Sequence, residues 1–434
     1  MYIKQLRLQN YRGFEDATIN FPDTNIAVFF GINGGGKTSV LDALAALLSQ
    51  WLSNRLRVYM ADATYTYNFT KFINTASIKE QKEEAVIHIE VITQTSDCSW
   101  RINLYRPNII LLTEIQKKNN STYTFPIMDQ SVYVMVYYSK KHLGETSTNI
   151  QNGDSFYDTN QLTYKDAFTP QANDMANFKN WFVDEVTIEN EEKIKQEDLT
   201  ITSPTLNVIR EAIKIFTKRL YNTNFSDIYV KHNHKKTDFA YENKLIGDLR
   251  IKKGDEDLSF DQLSKGEQTV LHYCCDIARR LIIANPKLEN PLWGKGIVLI
   301  DEIDAHLHPL WQRSIIPALR NTFPNVQFIV ATHSEQVLSE VPNGSVFELD
   351  NFIVKQQNTY GRSNDWILQT VMNDIERPQE VLELLENYFD LIRANQLDEA
   401  QLLRTKLEEL IGFDEPEFVK ADILITRKKR ELSR

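Results

Sequence analysis

The stretch IVLIDEIDAHLHPLWQ, residues 297 to 312, sets Asp301, Glu302, Asp304, His306 and His308 close together along the chain. Two chemistries use such a set. Asp304, His306 and His308 are of the types that ligate a transition metal. Asp301 and Glu302 instead follow Ile297, Val298, Leu299 and Ile300, an apolar run that predicts a strand buried on both faces. Open α/β sheets bind ligands beyond the carboxyl ends of their strands, so carboxylates at this point more often serve a nucleotide and its magnesium than a ligand cage.

A phosphate cradle elsewhere in the chain decides between the two. GINGGGKTS, residues 31 to 39, fits G-x-x-x-x-G-K-[ST] at Gly31, Gly36, Lys37 and Thr38, between an apolar strand and a helix pattern. Backbone N–H groups converge on a phosphate only where no side chain blocks the approach, and the helix adds its positive N-terminal end. The predicted ATP contacts are therefore Asn33, Gly34, Gly35, Gly36, Lys37, Thr38 and Ser39. Lys37 reaches the β and γ phosphates. A nucleotide-bound Mg2+ takes Thr38 and Asp301 as ligands, and Glu302 becomes the general base that orients and deprotonates water.

These residues need a sheet to hold them. YIKQLRL (2–8) and TINFP (18–22) alternate as antiparallel strands, and NIAVFF (25–30) is a buried strand running into the cradle. KTSVLDALAALLSQWLS has helical spacing; EEAVIHIEVITQ and SWRINLYR return to strand patterns. From Ser139 to Asp257 the composition shifts to Asn, Thr, Asp and Lys, with helix patterns at FKNWFVDEVTIENEEKIK and at SPTLNVIREAIKIFTKRLYN, the second opened by Ser203 and Pro204. Strands resume at DIYVKH and KLIGDLRIK, a helix runs from Lys265 to about Ala284, and VQFIVATHS (326–334) is another buried strand. Four parts follow: a first ATPase lobe (1–138), an inserted helical arm with connecting strands (139–257), a second lobe (258–362) and a helical tail (363–434). In the tail, Val381, Leu382, Leu384, Leu385, Tyr388, Phe389 and Leu391 form a pattern broader than one stripe, which predicts a second face covered by a partner, by a second copy of the chain or, in a self-covering helical hairpin, by the tail itself.

The 434 residues are 42% hydrophobic and 25% charged, the balance of a globular protein with a large core. Cys98, Cys274 and Cys275 have neither disulfide nor zinc spacing, which points to a reducing cytoplasm. The net charge of −10 argues against a surface coated for phosphate backbones, with KHNHKK (231–236) and RKKR (427–430) as local exceptions. No apolar run is long enough for a bilayer.

FDQLSKGEQTVL, by Leu263, Ser264, Lys265, Gly266 and Glu267, resembles the signature of ABC-type ATPases, and Thr332 and His333 in ATHS resemble their switch histidine. With NYRGFED before the cradle, the order of motifs resembles the ABC-type heads of the RecF and SMC group. GIVLIDEIDAHLHPLWQ, FPNVQFIVATHSEQVL and TYGRSNDWIL are more narrowly similar to the anti-phage ATPases of Septu (PtuA) and of retrons. The resemblance implies an α/β P-loop ATPase head. Two copies close around ATP, each cradle completed by Ser264, Lys265, Gly266 and Glu267 of the other. It implies Arg12 near the nucleotide, His333 as a catalytic residue on the γ-phosphate and Asp304 in the loop between the two sites. It also implies a separate nuclease subunit of HNH type, with nucleic acid reached through the complex. A RecF-like repair ATPase is the alternative. An ATPase-nuclease of the overcoming-lysogenisation-defect type would need a D-x-D site that does not occur after residue 350. Gln94 and Gln130 are the candidates for the Q-loop glutamine.

Overall fold

The computed structural model describes residues 1–60, 72–93, 97–106, 115–117, 133–139, 159–169, 175–220, 225–233, 246–372 and 377–432. The N-terminal alternation becomes β1 (Tyr2–Gln9), with Ile3, Leu6 and Leu8 buried, and β2 (Asp16–Asn20). β2 starts and stops earlier than the sequence pattern suggests: buried Phe21 leaves the strand, and Pro22 has no N–H for a ladder. β3 (Ile26–Phe30) is buried throughout and runs through the glycine turn into α1 (Lys37–Met60). β4 (Glu84–Ile92), β5 (Asp97–Tyr105) and β6 (Ile115–Lys117) complete a five-stranded antiparallel sheet of order β2-β1-β4-β5-β6.

β7 (Val134–Tyr138) belongs to the main sheet, and the helices α2 (Thr159–Tyr164), α3 (Ala176–Lys195) and α4 (Pro204–Arg219) follow. β8 (Phe225–Asn233), β9 (Ile246–Lys253) and β10 (Glu256–Ser259) form an antiparallel sheet of their own. α5 (Lys265–Ala284) leads to β11 (Gly296–Ile300), α6 (Pro309–Thr322), β12 (Val326–Ala331), α7 (Glu335–Leu338), β13 (Val346–Asp350) and β14 (Ile353–Gln357). The main sheet has the order β14-β13-β3-β12-β11-β7. All neighbours pair in parallel except β13 with β14. Only β12 separates the strand that enters the cradle from the strand that ends in the acids, so both loops open at the same edge.

The helices between residues 159 and 219, within the segment read as an inserted arm, pack on the second lobe. α2 and α4 pack on α5, and α4 also packs on α6. The reason is apolar burial: Leu206, Ile209, Ile213 and Phe216 of α4 are all buried, below a start capped by the Ser203 hydroxyl and fixed by Pro204. The Arg280 guanidinium donates to the Thr163 carbonyl at 2.7 Å and ties α2 to α5.

Two compact units emerge, Met1–Arg362 and Ser363–Arg434. In the second, α8 (Asn364–Trp366) opens the unit, and α9 (Gln379–Arg393), α10 (Leu397–Ile411) and α11 (Pro416–Leu432) build a small core. Val381, Leu385, Tyr388 and Ile392 of α9 meet Ala400, Leu407, Phe418 and Ala421, with Leu384, Phe389 and Leu391 partly buried against them. These apolar residues of α9 are thus covered within the tail itself, as in a self-covering hairpin. Arg404 braces this core: its guanidinium stacks 5.0 Å from the Phe418 ring centroid and pairs with Glu408 and Asp422. No described helix is long and apolar enough to cross a membrane.

Leu407→Ala removes a fully buried side chain from that core and should cost about 2–5 kcal/mol, comparable with the whole stability of so small a unit. Hydrogen exchange should show protection lost over 379–432 and kept in β3, β11 and β12. Unchanged protection in the tail would contradict this account of its core.

Candidate nucleotide site

The cradle's shape follows from what surrounds its glycines. Gly31 has φ +139°, and a Cβ there would lie 2.1 Å from the Leu349 carbonyl oxygen. Gly36 has φ +113° and lies under the rings of Phe14 and Phe352, which meet edge to face at 5.2 Å. Each position excludes an L side chain twice, by dihedral and by space. Phe352 sits at the β13–β14 turn, and its N–H donates to Gly35 O at 3.2 Å, so the hairpin tip buttresses the loop.

Lys37 folds back over the cradle, its ammonium donating to the carbonyls of Gly31 (2.8 Å) and Ile32 (3.0 Å). Burial lowers its pKa, against the opposing pull of Asp301, Glu302 and Asp304. The Thr38 hydroxyl donates to Asp301 Oδ2 at 3.1 Å, across residues far apart in sequence. Asp301 is held from behind, its N–H donating to the Tyr138 carbonyl at 3.0 Å. Two hard oxygen donors side by side suit a divalent cation such as magnesium. Glu302 follows with φ +51°, a left-handed backbone that costs a glutamate about 1–3 kcal/mol.

Asp304 turns away from any metal cluster. Its Oδ1 accepts the Thr332 hydroxyl at 2.6 Å and the His333 N–H at 3.2 Å, which joins the acid loop to the histidine loop. His308 caps α6, its Nδ1 accepting the Leu310 N–H at 3.3 Å. Among the described residues no group of three or more His, Cys, Asp or Glu is placed to hold a metal ion. Arg12, in left-handed backbone at φ +50°, reaches the cradle helix: it donates to the Ser39 hydroxyl at 3.1 Å and pairs with buried Asp42 at 2.8 Å. The Tyr137 hydroxyl donates to the other Asp42 oxygen at 3.1 Å. Arg12 therefore clamps the start of α1 to the strands around it.

Asn33 to Ser39, Arg12, Asp301 and Glu302 thus assemble at one edge of the main sheet. Ser264, Lys265, Gly266 and Glu267 open α5 and pack on the acid loop instead, where a Cβ on Gly266 would lie 2.7 Å from the His306 carbonyl oxygen. A cavity of about 560 Å³ separates α5 from the acids and is lined by Tyr138, Lys179, Lys265, His272 and Glu302 among others.

Sequence reasoning passed over Asp42 and the Asp276 cluster. Both had a signal: an acid inside an otherwise apolar helix face needs a partner. Asp276 receives Arg279 at 2.6 Å, Arg280 at 2.8 Å and the Tyr138 hydroxyl at 2.8 Å, all buried. Tyr138 thereby links α5 to the strand beside the acids. Gln94 and Gln130 lie outside the described residues; the strand next to β11 ends at Tyr138, followed by Ser139.

Residues 26–339, well over half of the chain, match the model of a family described as "AAA domain, putative AbiEii toxin, Type IV TA system". The chain is 28% identical over 480 residues to the "Retron Ec83 probable ATPase" of Escherichia coli, covering 98% of this chain and 87% of that one. It is 20% identical over 394 residues to the "Septu protein PtuA" of Bacillus thuringiensis, covering 86% and 84% respectively. The solved SMC head domain from Thermotoga maritima is 14% identical, with a TM-score of 0.44 and coverage of 82% of this chain and 99% of that one.

Two stability measurements test the buried network. Burial raises the Asp276 pKa, but Arg280 and Arg279 outweigh it and hold the carboxyl well below its usual range. A depressed carboxylate contributes stability above its unfolded pKa of about 4 and loses it as pH falls through the folded value. Asp276→Asn should therefore flatten the acid limb of the stability curve; an unaltered limb would contradict the network. Arg12→Met leaves the Asp42 carboxylate buried without its cation and should cost roughly 3–5 kcal/mol by denaturant titration, whereas a loss under 1 kcal/mol would contradict the clamp.

Proposed function

Because the chain belongs to this AAA-domain family, whose model spans residues 26–339, we propose that it is an ABC-type ATPase that dimerises around ATP and governs a partner nuclease in anti-phage defence. The observation that carries the reading is the Thr38–Asp301 hydrogen bond, which brings cradle and acid strand within one hydrogen-bond length. The retron and Septu relatives support the place in a defence system. The nuclease partner, of HNH type, rests on the sequence resemblance.

In this mechanism the Asn33–Gly36 backbone and Lys37 receive the β and γ phosphates of ATP, with Lys37 exchanging its two carbonyl partners for phosphate oxygens. Thr38 and Asp301 are the residues that would hold magnesium, which when bound offsets charge on the bridging oxygens. Glu302 accepts a proton from the attacking water at its carboxylate. His333, tied to Asp304 through its own N–H, holds the γ-phosphate and the water in line. Ser264 and Gly266 of a second copy close the site, the α5 N-terminus presenting its dipole to the γ-phosphate. Hydrolysis removes the bridging charge and loosens the pair.

Lys37→Ala should abolish ATP binding in a fluorescent-nucleotide titration, and unchanged affinity would refute the cradle assignment. Glu302→Gln should bind ATP with near-parental affinity and hydrolyse it roughly 100- to 10,000-fold more slowly. Parental turnover would remove Glu302 from the base role.

A further inference from the structure

The signature serine is already engaged within its own chain. The Ser264 hydroxyl donates to Glu267 Oε2 at 2.7 Å, the Ser264 N–H donates to the same oxygen at 2.9 Å, and the Glu267 N–H returns to the hydroxyl at 3.3 Å. This capping box occupies the Ser264 hydroxyl and N–H and the Glu267 N–H, three of the donors that a phosphate at the α5 N-terminus would use. It also puts a carboxylate where a triphosphate must approach. Glu267 cannot swing clear easily: its side chain is 9% exposed, and Gln268 braces the turn by donating to the carbonyls of Leu263 (3.1 Å) and Phe260 (3.2 Å).

The other Glu267 oxygen carries a countercharge that the signature itself does not supply. Lys253, the last residue of β9, places its ammonium 2.7 Å from Glu267 Oε1. We propose that Lys253 is a positioning residue for ATP-driven association: it neutralises Glu267 and weakens that carboxylate's hold on Ser264, so that the hydroxyl can exchange Glu267 Oε2 for the γ-phosphate of a second copy. Without the ammonium, two negative groups face each other across a poorly hydrated contact. The charge at the signature is then set by a strand outside the nucleotide motifs, so the placement of that small sheet tunes closure of the pair. The proposal rests on the shared-site reading above.

The test uses the full chain in the Glu302→Gln background, with sedimentation velocity in saturating ATP. Lys253→Met should weaken ATP-driven association at least about tenfold, the effect of roughly 1.4 kcal/mol. ATP affinity of the single chain should hold, since the contact Lys253 makes is with Glu267 and not with a cradle residue. Lys253→Arg should preserve association, and Glu267→Gln added to Lys253→Met should restore it, which loss of packing alone would not allow. Parental association of Lys253→Met, or a loss that Glu267→Gln fails to relieve, overturns the proposal. Ser264→Arg in the same background separates the two claims: it should abolish association, and if it does not, the shared site itself falls.

Discussion

The hydrogen bond from Thr38 to Asp301 is the contact on which the rest of the architecture depends. It exists because β3 and β11 run parallel with a single strand between them, so the turn after one and the acids after the other meet at the same edge. Parallel strands need crossovers, and most of the chain between residues 39 and 296 serves as those crossovers. Strands β4–β6, the α2–α4 helices and the β8–β10 sheet are hung between two loops that must meet.

Buried charge fixes the helices beside the two loops. Arg12 and Asp42 fix the cradle helix, and Asp276 with its two arginines fixes α5 beside Tyr138. Such pairs are costly to bury and contribute little net stability, but they are unforgiving of displacement. On the proposed function, a head closing and reopening around a nucleotide would gain from that property, because its elements could move as bodies and keep their internal geometry. The Asp304 contacts to Thr332 and His333 extend the same principle to the acid and histidine loops.

The strands of the main sheet and the meeting of cradle and acid strand were legible because their signals are local. A buried strand followed by Gly-rich turn and helix is read from consecutive residues, and so is an apolar run that ends in Asp301 and Glu302. The arm and the tail were not legible in the same way. Nothing in the Asn- and Lys-rich composition of 139–257 says that α4 lays its apolar stripe on α5 and α6, because that depends on a face formed by residues far along the chain. The breadth of the α9 pattern was read correctly as needing cover, yet periodicity cannot tell a partner from the α10 and α11 helices that follow. Lys253 illustrates the limit best: a lysine ending an amphipathic strand gives no hint that it meets the signature glutamate until the β8–β10 sheet is placed against α5.

The central claim is that one catalytic site draws on two copies of the chain. Subunit complementation tests it most directly. A Lys37→Ala chain keeps an intact signature, and a Ser264→Arg chain keeps an intact cradle; each alone should be inactive. The account predicts that mixing them restores ATP hydrolysis, because the Ser264→Arg cradle is completed by the Lys37→Ala signature. A mixture no more active than the two chains measured separately would contradict it.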